Sequence, residues 1–417
     1  MSSGTLPGET RIATAGLKTR LFLVFAAGYF LSYVYRTVNA VLSPYLASEL
    51  GLEAGDLGIL TGAYFIAFAA FQLPLGILLD RYGPRRVQAA LLLIAALGAG
   101  LFAVGHSLVA LTLARALIGF GVSGCLMAGF KALVVWFPRE RLPLFNGLFM
   151  VSGGLGAIAA ATPVEMALEM TDWRGVFALL TAATIGVSAA IFLGAPKDPA
   201  PKAGQSLGEA LEGIVAVFKA PIFIRLAPLT SMAQGVFLSY LSLWTGAWLR
   251  DVNGLSPRDA ADAVLLAATA MSLGFLSIGV IADQLGKRGV PPMMVGVGGM
   301  MLFIALQVLI VAGAPIPPVA AWFLFGYLGT ACSSVYAVMS LNLPLHLSGR
   351  SNTAINLLAF LAAFVMQSGV GSLLDLLGPL PGGRATPDAH RMALGLMVAL
   401  ELAGLLWFWF RKPTLKA

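Results

Sequence analysis

Gly76-Ile77-Leu78-Leu79-Asp80-Arg81-Tyr82-Gly83-Pro84-Arg85-Arg86 has a second copy 203 residues on, Gly279-Val280-Ile281-Ala282-Asp283-Gln284-Leu285-Gly286-Lys287-Arg288. In both, Gly, Asp, Gly and Arg stand at offsets 0, +4, +7 and +9, and each copy closes a long apolar run with charge. A short charged motif repeated at matching places in an apolar chain is the pattern of a duplicated membrane bundle whose halves rock against each other. In such a bundle Gly76, Asp80, Arg81, Gly83 and Arg85, with Gly279, Asp283, Gly286 and Arg288, form a gate on one membrane face.

Composition agrees. Hydrophobic residues make up 59% of the 417 residues and charged residues 11%. Soluble domains carry about 25% charged residues, so a soluble enzyme or binding module is excluded. Apolar runs and their polar breaks predict an all-α integral membrane protein with twelve spans in two six-helix halves. The first half has 20–46, 57–80, 87–105, 108–135, 142–168 and 174–195; the second has 222–249, 260–282, 291–313, 317–342, 351–377 and 391–411. Residues 1–17 are polar, lack the apolar core of a secretory leader and read as a disordered cytoplasmic tail. The bundles are then 18–195 and 221–417, joined by a cytoplasmic linker, 196–220, with an amphipathic helix at 207–218.

Eighteen Lys and Arg residues gather in the loops and tails of one face and five on the other. That bias puts both termini and the linker in the cytoplasm of a bacterial inner membrane. The net charge of +7 is therefore topological and marks no nucleic-acid surface. Cys125 and Cys332 sit inside apolar runs, and His106, His346 and His390 form no ligand spacing, so neither a disulfide framework nor a metal site is expected. The chain has no phosphate-cradling Gly-Lys-Ser/Thr loop and no nucleophile set beside a base. Enzymatic and ATP-driven classes fall away, and no cofactor is expected.

Six plus six spans, a basic central linker and the motif after spans two and eight resemble the major facilitator superfamily over the whole chain. Arg115-Ala-Leu-Ile-Gly119-Phe-Gly121 in span four and Trp173-Arg174-Gly-Val-Phe177 opening span six strengthen the resemblance. Gln284 departs from it, standing where an arginine follows the aspartate of the first copy. The resemblance implies alternating access, closure of the cytoplasmic side by the paired loops, and a gating or coupling role for Arg115.

Three basic residues remain inside spans: Arg36, Arg115 and Lys131. A charge near the bilayer centre costs about 2.5–3.5 kcal/mol even on lenient scales, so each needs a partner, water or a function. Arg36 lies about 24 Å along its helix from Arg20, too far to reach the cytoplasmic surface. Tyr29, Ser32, Tyr33, Asn39 and Ser43 share its helical stripe, as in a span lining a wet path. Guanidinium stays charged and its planar fork donates two parallel hydrogen bonds to carboxylate or phosphate. Arg36 is therefore the expected anion anchor, with Tyr29, Tyr33 and Asn39 beside it; the competing reading pairs it with a buried acid. In the first half only Glu165 lies within a span, near its outer end.

The stretch 28–46 is similar to first spans of the organophosphate:phosphate antiporters, where an arginine at this place binds the anionic group. Those proteins carry a second arginine in span seven, where this chain has Leu238 and Ser239. A monocarboxylate or sugar acid, as in the related anion:cation symporters, thus becomes as good a candidate as a phosphate ester. Gln234, Ser239, Tyr240, Tyr327, Ser334 and Asn356 are expected around the neutral part of the solute, helix bridging being the alternative for each. Lys131, near the cytoplasmic end of span four, and Glu401, in mid-span twelve, are coupling candidates; snorkelling and an inert protonated acid are their bland alternatives.

The expectation is a monomeric secondary transporter of a small organic anion (carboxylate, sugar acid or phosphate ester), moving it with H+, Na+ or a counter-anion. A proton-coupled exporter of drugs or metabolites is the rival. It would carry a mid-membrane acid in the first half and a glycine-proline motif in span five, which here reads Gly153-Gly154-Leu155-Gly156. A non-transporting membrane sensor on the same fold would want a large soluble output domain; the chain ends at Ala417, six residues after Arg411.

Overall fold

The computed structural model describes residues 15–137, 142–196, 207–343, 345–381 and 383–411. Within them the side chains at 15, 73, 80, 142–144, 207–211, 283, 337, 340, 341, 345, 346, 348 and 349 lie outside the description. Residues 1–14 of the expected tail, part of the linker and the side chains of Asp80, Asp283 and His346 therefore fall outside the described residues, while 15–17, expected in the disordered tail, already belong to the first helix, Ala15–Thr37.

Among the described residues, eleven helices are long and apolar enough to cross a membrane by length and composition. The other expected crossing, span two, is divided at Phe71: its first part, Ala54–Ala70, is shorter, and its second begins the helix Gln72–Ala103. That helix holds two spans merged across Gly83, whose φ of 78° is open to glycine at little cost. Pro84 restarts the helix. The repeated glycine behaves differently in the second copy. Gly286 stays inside Pro257–Lys287, and the turn passes to Gly289, with φ 84°.

Five second-half helices, starting at Pro221, Pro257, Pro292, Pro318 and Pro387, carry proline in the first turn, where the missing N–H leaves no hydrogen bond unmade. Ser256 and Thr386 also cap two of these through side-chain oxygens, as Ser107 and Asp172 cap two first-half helices. The predicted amphipathic linker helix is present as Leu207–Lys219 and lies against Leu345–Leu377.

Several spans are irregular in mid-course. Span one breaks at Val38 between Ala15–Thr37 and Asn39–Leu50. Span four is interrupted at Ser123 and Gly124. Span seven contains a π-helical turn, Tyr240–Trp244, and span ten a 3-10 turn, Thr330–Ser333. Such turns inside long helices mark places where the chain can re-pack.

The halves meet most closely between Ala54–Ala70 and Leu345–Leu377. A Cβ on Gly58 would stand 2.8 Å from the Gln367 carbonyl oxygen, and one on Gly371 would stand 2.6 Å from that of Ala54. Only glycine admits this approach. Polar contacts tie the same end, opposite the basic loops. Gly55 N donates to Asp375 Oδ2 (2.7 Å), Thr162 Oγ1 to Asp262 Oδ1 (2.6 Å), and Arg250 Nη2 to Ser43 Oγ (3.1 Å). Arg258 and Glu169 pair there too, but both are exposed and contribute little.

Candidate functional site

Between the halves lies a cavity of about 40 Å³, on the axis from span one to span ten. Span one lines it with Tyr29, Ser32, Tyr33 and Arg36, the stripe read from the sequence. Arg36 is 6% exposed. Its guanidinium carbon lies 4.3 Å from the Tyr33 ring centre, 5.0 Å from that of Phe360 and 5.6 Å from that of Phe68. Phe68 and Phe360 come from opposite halves and stack at 3.9 Å, closing one side of the guanidinium. Its electrostatic neighbours are the phenols of Tyr64, Tyr33 and Tyr29, with no carboxylate among them. Nε is buried without a hydrogen-bond partner. The cation is thus held by aromatic faces and left with donor capacity.

The second half faces it with neutral groups. Gln234 Nε2 donates to the Tyr336 hydroxyl (3.3 Å), which donates to Asn356 Oδ1 (2.9 Å). Asn356 Nδ2 then donates across the halves to Gln72 Oε1 (3.0 Å), and Gln72 Nε2 donates to the Phe68 and Ser123 carbonyls. One relay of amides and a phenol runs from span seven to the break in span four. The 3-10 turn adds Thr330, Cys332 and Ser333 to the wall.

Of the ten residues expected to bind solute, Arg36, Tyr29, Tyr33, Gln234 and Asn356 meet at this cavity, and five do not. Asn39 is buried and donates to Thr61 Oγ1 of span two (2.8 Å). Ser239 is buried, with its carbonyl accepting from Ser242. Tyr240 stacks on Trp322, 5.9 Å between ring centres. The Tyr327 hydroxyl accepts from Ser277 (2.8 Å), and Ser334 donates to the Ala331 carbonyl (2.7 Å). The Ser239 and Ser334 bonds are local to their own spans, whereas Asn39, Tyr240 and Tyr327 reach neighbouring ones. Sequence reasoning left out Gln72, Phe68, Phe360, Met150 and Phe275, although an amide in the apolar run of span two was a visible signal for Gln72.

Arg115 is fully buried but lines no part of the cavity. Nη1 donates to the Tyr35 carbonyl (2.8 Å), beside Arg36 in the chain, and the guanidinium lies 5.2 Å from the Tyr64 ring. Its Nε and Nη2 have no partner. Lys131 is half-buried and away from the cavity, and Glu401 is buried in the second half. At the basic end Arg81, Arg288, Gly279 and Gly286 face open space, while Arg85 Nε donates to the Phe192 carbonyl (2.7 Å).

A profile of the Major Facilitator Superfamily matches residues 25–367, well over half of the chain. The chain belongs to that superfamily. It is 24% identical over 311 residues to the probable sulfoacetate transporter SauU of Cupriavidus necator, covering 69% of this chain and 72% of that one. It is 29% identical over 189 residues to the probable L-galactonate transporter of Escherichia coli, covering 45% and 41%. With the hexuronate transporter of the same organism it shares 28% over 162 residues, covering 39% and 38%. The matches thus span less than half the length of the last two relatives. A solved bacterial homologue of the human lysosomal transporter Spinster, inward-facing and unoccupied, superposes with a TM-score of 0.73 at 16% identity, covering 96% of this chain and 98% of that one. The nucleoside transporter NupG gives 0.72 at 15%, covering 94% and 100%. At those identities the likeness fixes the fold alone. The superfamily fold makes this a multi-pass membrane protein.

Proposed function

We propose that this protein is a secondary transporter of small organic acids, carboxylates or sulfonates on a short polar backbone, with Arg36 holding the anionic group. The observation that carries the reading is a buried guanidinium at the interface of two halves, surrounded by phenyl and phenol rings and without a carboxylate neighbour. The relatives named for sulfoacetate, L-galactonate and hexuronate agree in substrate chemistry. Gln234, Tyr336 and Asn356 supply the donors and acceptors that hydroxyl groups of a sugar acid would meet.

At about 40 Å³ the cavity holds a few waters, each needing roughly 10–15 Å³ on this measure, and is too small for a sugar acid. Loading requires the halves to part. With the end opposite the basic loops sealed by Gly55–Asp375 and Arg250–Ser43, parting begins at the basic end, which the positive-inside bias places in the cytoplasm of a bacterial inner membrane. Bundles at 18–195 and 221–417 joined by the 196–220 linker would then rock as units, with the Asp80 and Asp283 loops as the cytoplasmic gate.

Uptake into proteoliposomes tests the substrate class. Galacturonate, galactonate and sulfoacetate are expected to enter, whereas galactose is not. Uptake of galactose equal to that of its acid would overturn the assignment.

A further inference from the structure

Glu401 is left unexplained by the anion site. It sits within Pro387–Phe410 with no exposed surface, and neither of its carboxylate oxygens has a hydrogen-bond partner. Around it stand Gln307, Tyr240 of the π-helical turn and Cys332 of the 3-10 turn. Gln307 Oε1 and the Tyr240 hydroxyl are likewise buried without partners. Tyr240 and Cys332 are the titratable groups facing Glu401 from the helices packed on it. Charged groups stand only at the two ends of this helix among the described residues: Arg225 of span seven donates to the Phe408 carbonyl, and His390 pairs with Asp251. An ionised Glu401 would have the Gln307 amide as its one near donor and no counter-charge among the described residues, so in this conformation the group holds a proton.

Its depth matters. Gly404, three residues on, lies against the backbone of Leu229, so in this antiparallel pair Glu401 stands level with about Met232, two residues short of Gln234. Cys332 reaches both places: it lines the Arg36 cavity and is an electrostatic neighbour of Glu401. The carboxyl thus stands behind the cavity wall, with the two irregular turns of spans seven and ten between them.

We propose that Glu401 is the proton-binding site of the transport cycle, loaded together with the organic anion. The proposal rests on the anion reading above. An ionised Glu401 would put a negative charge behind the wall and oppose the solute; a proton on its carboxylate oxygen, taken from hydronium on one side, removes that opposition. When re-packing of the turns admits water from the other side, the carboxyl returns the proton to water as hydronium. By linkage, anion and proton each raise the affinity for the other by the same factor.

The test uses full-length protein in lipid nanodiscs, titrated with galacturonate in weakly buffered solution containing a pH dye. Wild type is expected to take up a proton with each anion. Glu401→Gln, a neutral mimic of the protonated acid, is expected to bind galacturonate without proton uptake. In proteoliposomes it is expected to retain exchange and lose accumulation driven by a pH gradient. Glu401→Asp keeps an acid and is expected to keep proton uptake with a shifted pH profile. Wild-type proton uptake in Glu401→Gln would overturn the proposal. Infrared difference spectra of wild type against Glu401→Gln give a readout without solute: a carboxylic-acid C=O band is expected, and its absence would also overturn it. Failure of every organic acid to bind wild type would instead defeat the anion reading, while the infrared band still decides Glu401.

Discussion

Replacing Arg36 by methionine separates binding from stability. In the solute-free protein the guanidinium leans on three rings at 4.3, 5.0 and 5.6 Å. Each such contact is worth about 0.5–2 kcal/mol. Keeping a charge at this depth costs about 2.5–3.5 kcal/mol. At mid-range the two sides offset within about 1 kcal/mol, and a methionine of similar length fills the same space, so the unfolding midpoint should move little. Binding behaves otherwise. Truncating one partner of a buried, hydrogen-bonded charge pair costs about 2–5 kcal/mol. That converts to about 30-fold to a few thousand-fold in Kd. Lysine keeps the charge but not the fork; loss of one charged hydrogen bond, about 1.5–3 kcal/mol, predicts roughly 10- to 150-fold. Calorimetric titration with galacturonate, beside thermal unfolding of the same samples, reads both quantities. Equal affinity in wild type and Arg36→Met would refute the reasoning, because no other cation lines the cavity among the described residues.

Gly58→Leu places a branched side chain where a Cβ alone would lie 2.8 Å from the Gln367 carbonyl oxygen. It should wedge open the end opposite the basic loops and raise maleimide labelling of a cysteine at position 43; unchanged labelling contradicts the seal described there. Asn356→Leu leaves Gln72 Oε1 without its donor and the Tyr336 hydroxyl without its acceptor. A loss of about 1–3 kcal/mol is expected, read as a lower unfolding midpoint, and a midpoint at the wild-type value would show the relay to be idle. Glu49, outside the spans, accepts from Trp173 Nε1 (2.6 Å) and pairs with Arg174, and these donors hold its carboxyl below its ordinary value of 4.5. A lowered folded pKa means the clasp is intact above 4.5 and is lost as pH falls through the lowered value. The side chain is 42% exposed, so the effect is small; Trp173 fluorescence should report it in acid, and Glu49→Gln should abolish that pH dependence.

The architecture was legible because bilayer crossing imposes length and composition together, and because charge stops each run. The Arg36 stripe was legible for a similar reason: one helix face carries it. Asn39 shows where that logic ends. Three residues beyond Arg36 it stands at the edge of the stripe, and its amide goes to Thr61, a partner set by how spans one and two pack. Ser239 and Tyr240, five and six residues past Gln234, fall on the other side of span seven from the face that lines the cavity, which shows only once that face is known. Phe68 and Phe360 could not be read as a clamp on the guanidinium, because their stacking joins residues 292 positions apart and depends on how the halves meet.

Carrying the 203-residue offset of the repeated motif back to span one pairs Arg36 with Ser239. The duplicated frame has thus kept its repeated motif and lost its symmetry at the centre: a charge stands on one side and the small buried side chain of Ser239 on the other. That asymmetry has a mechanical consequence. A negative solute held by Arg36 travels with the first half, and the second half, whose irregular turns form the far wall, is free to change its packing around the solute's neutral end. The Asn356–Gln72 hydrogen bond ties that wall to the first half at cavity depth, beside the Phe68–Phe360 stack. Its geometry is therefore the local quantity that should differ most between the loaded and empty carrier.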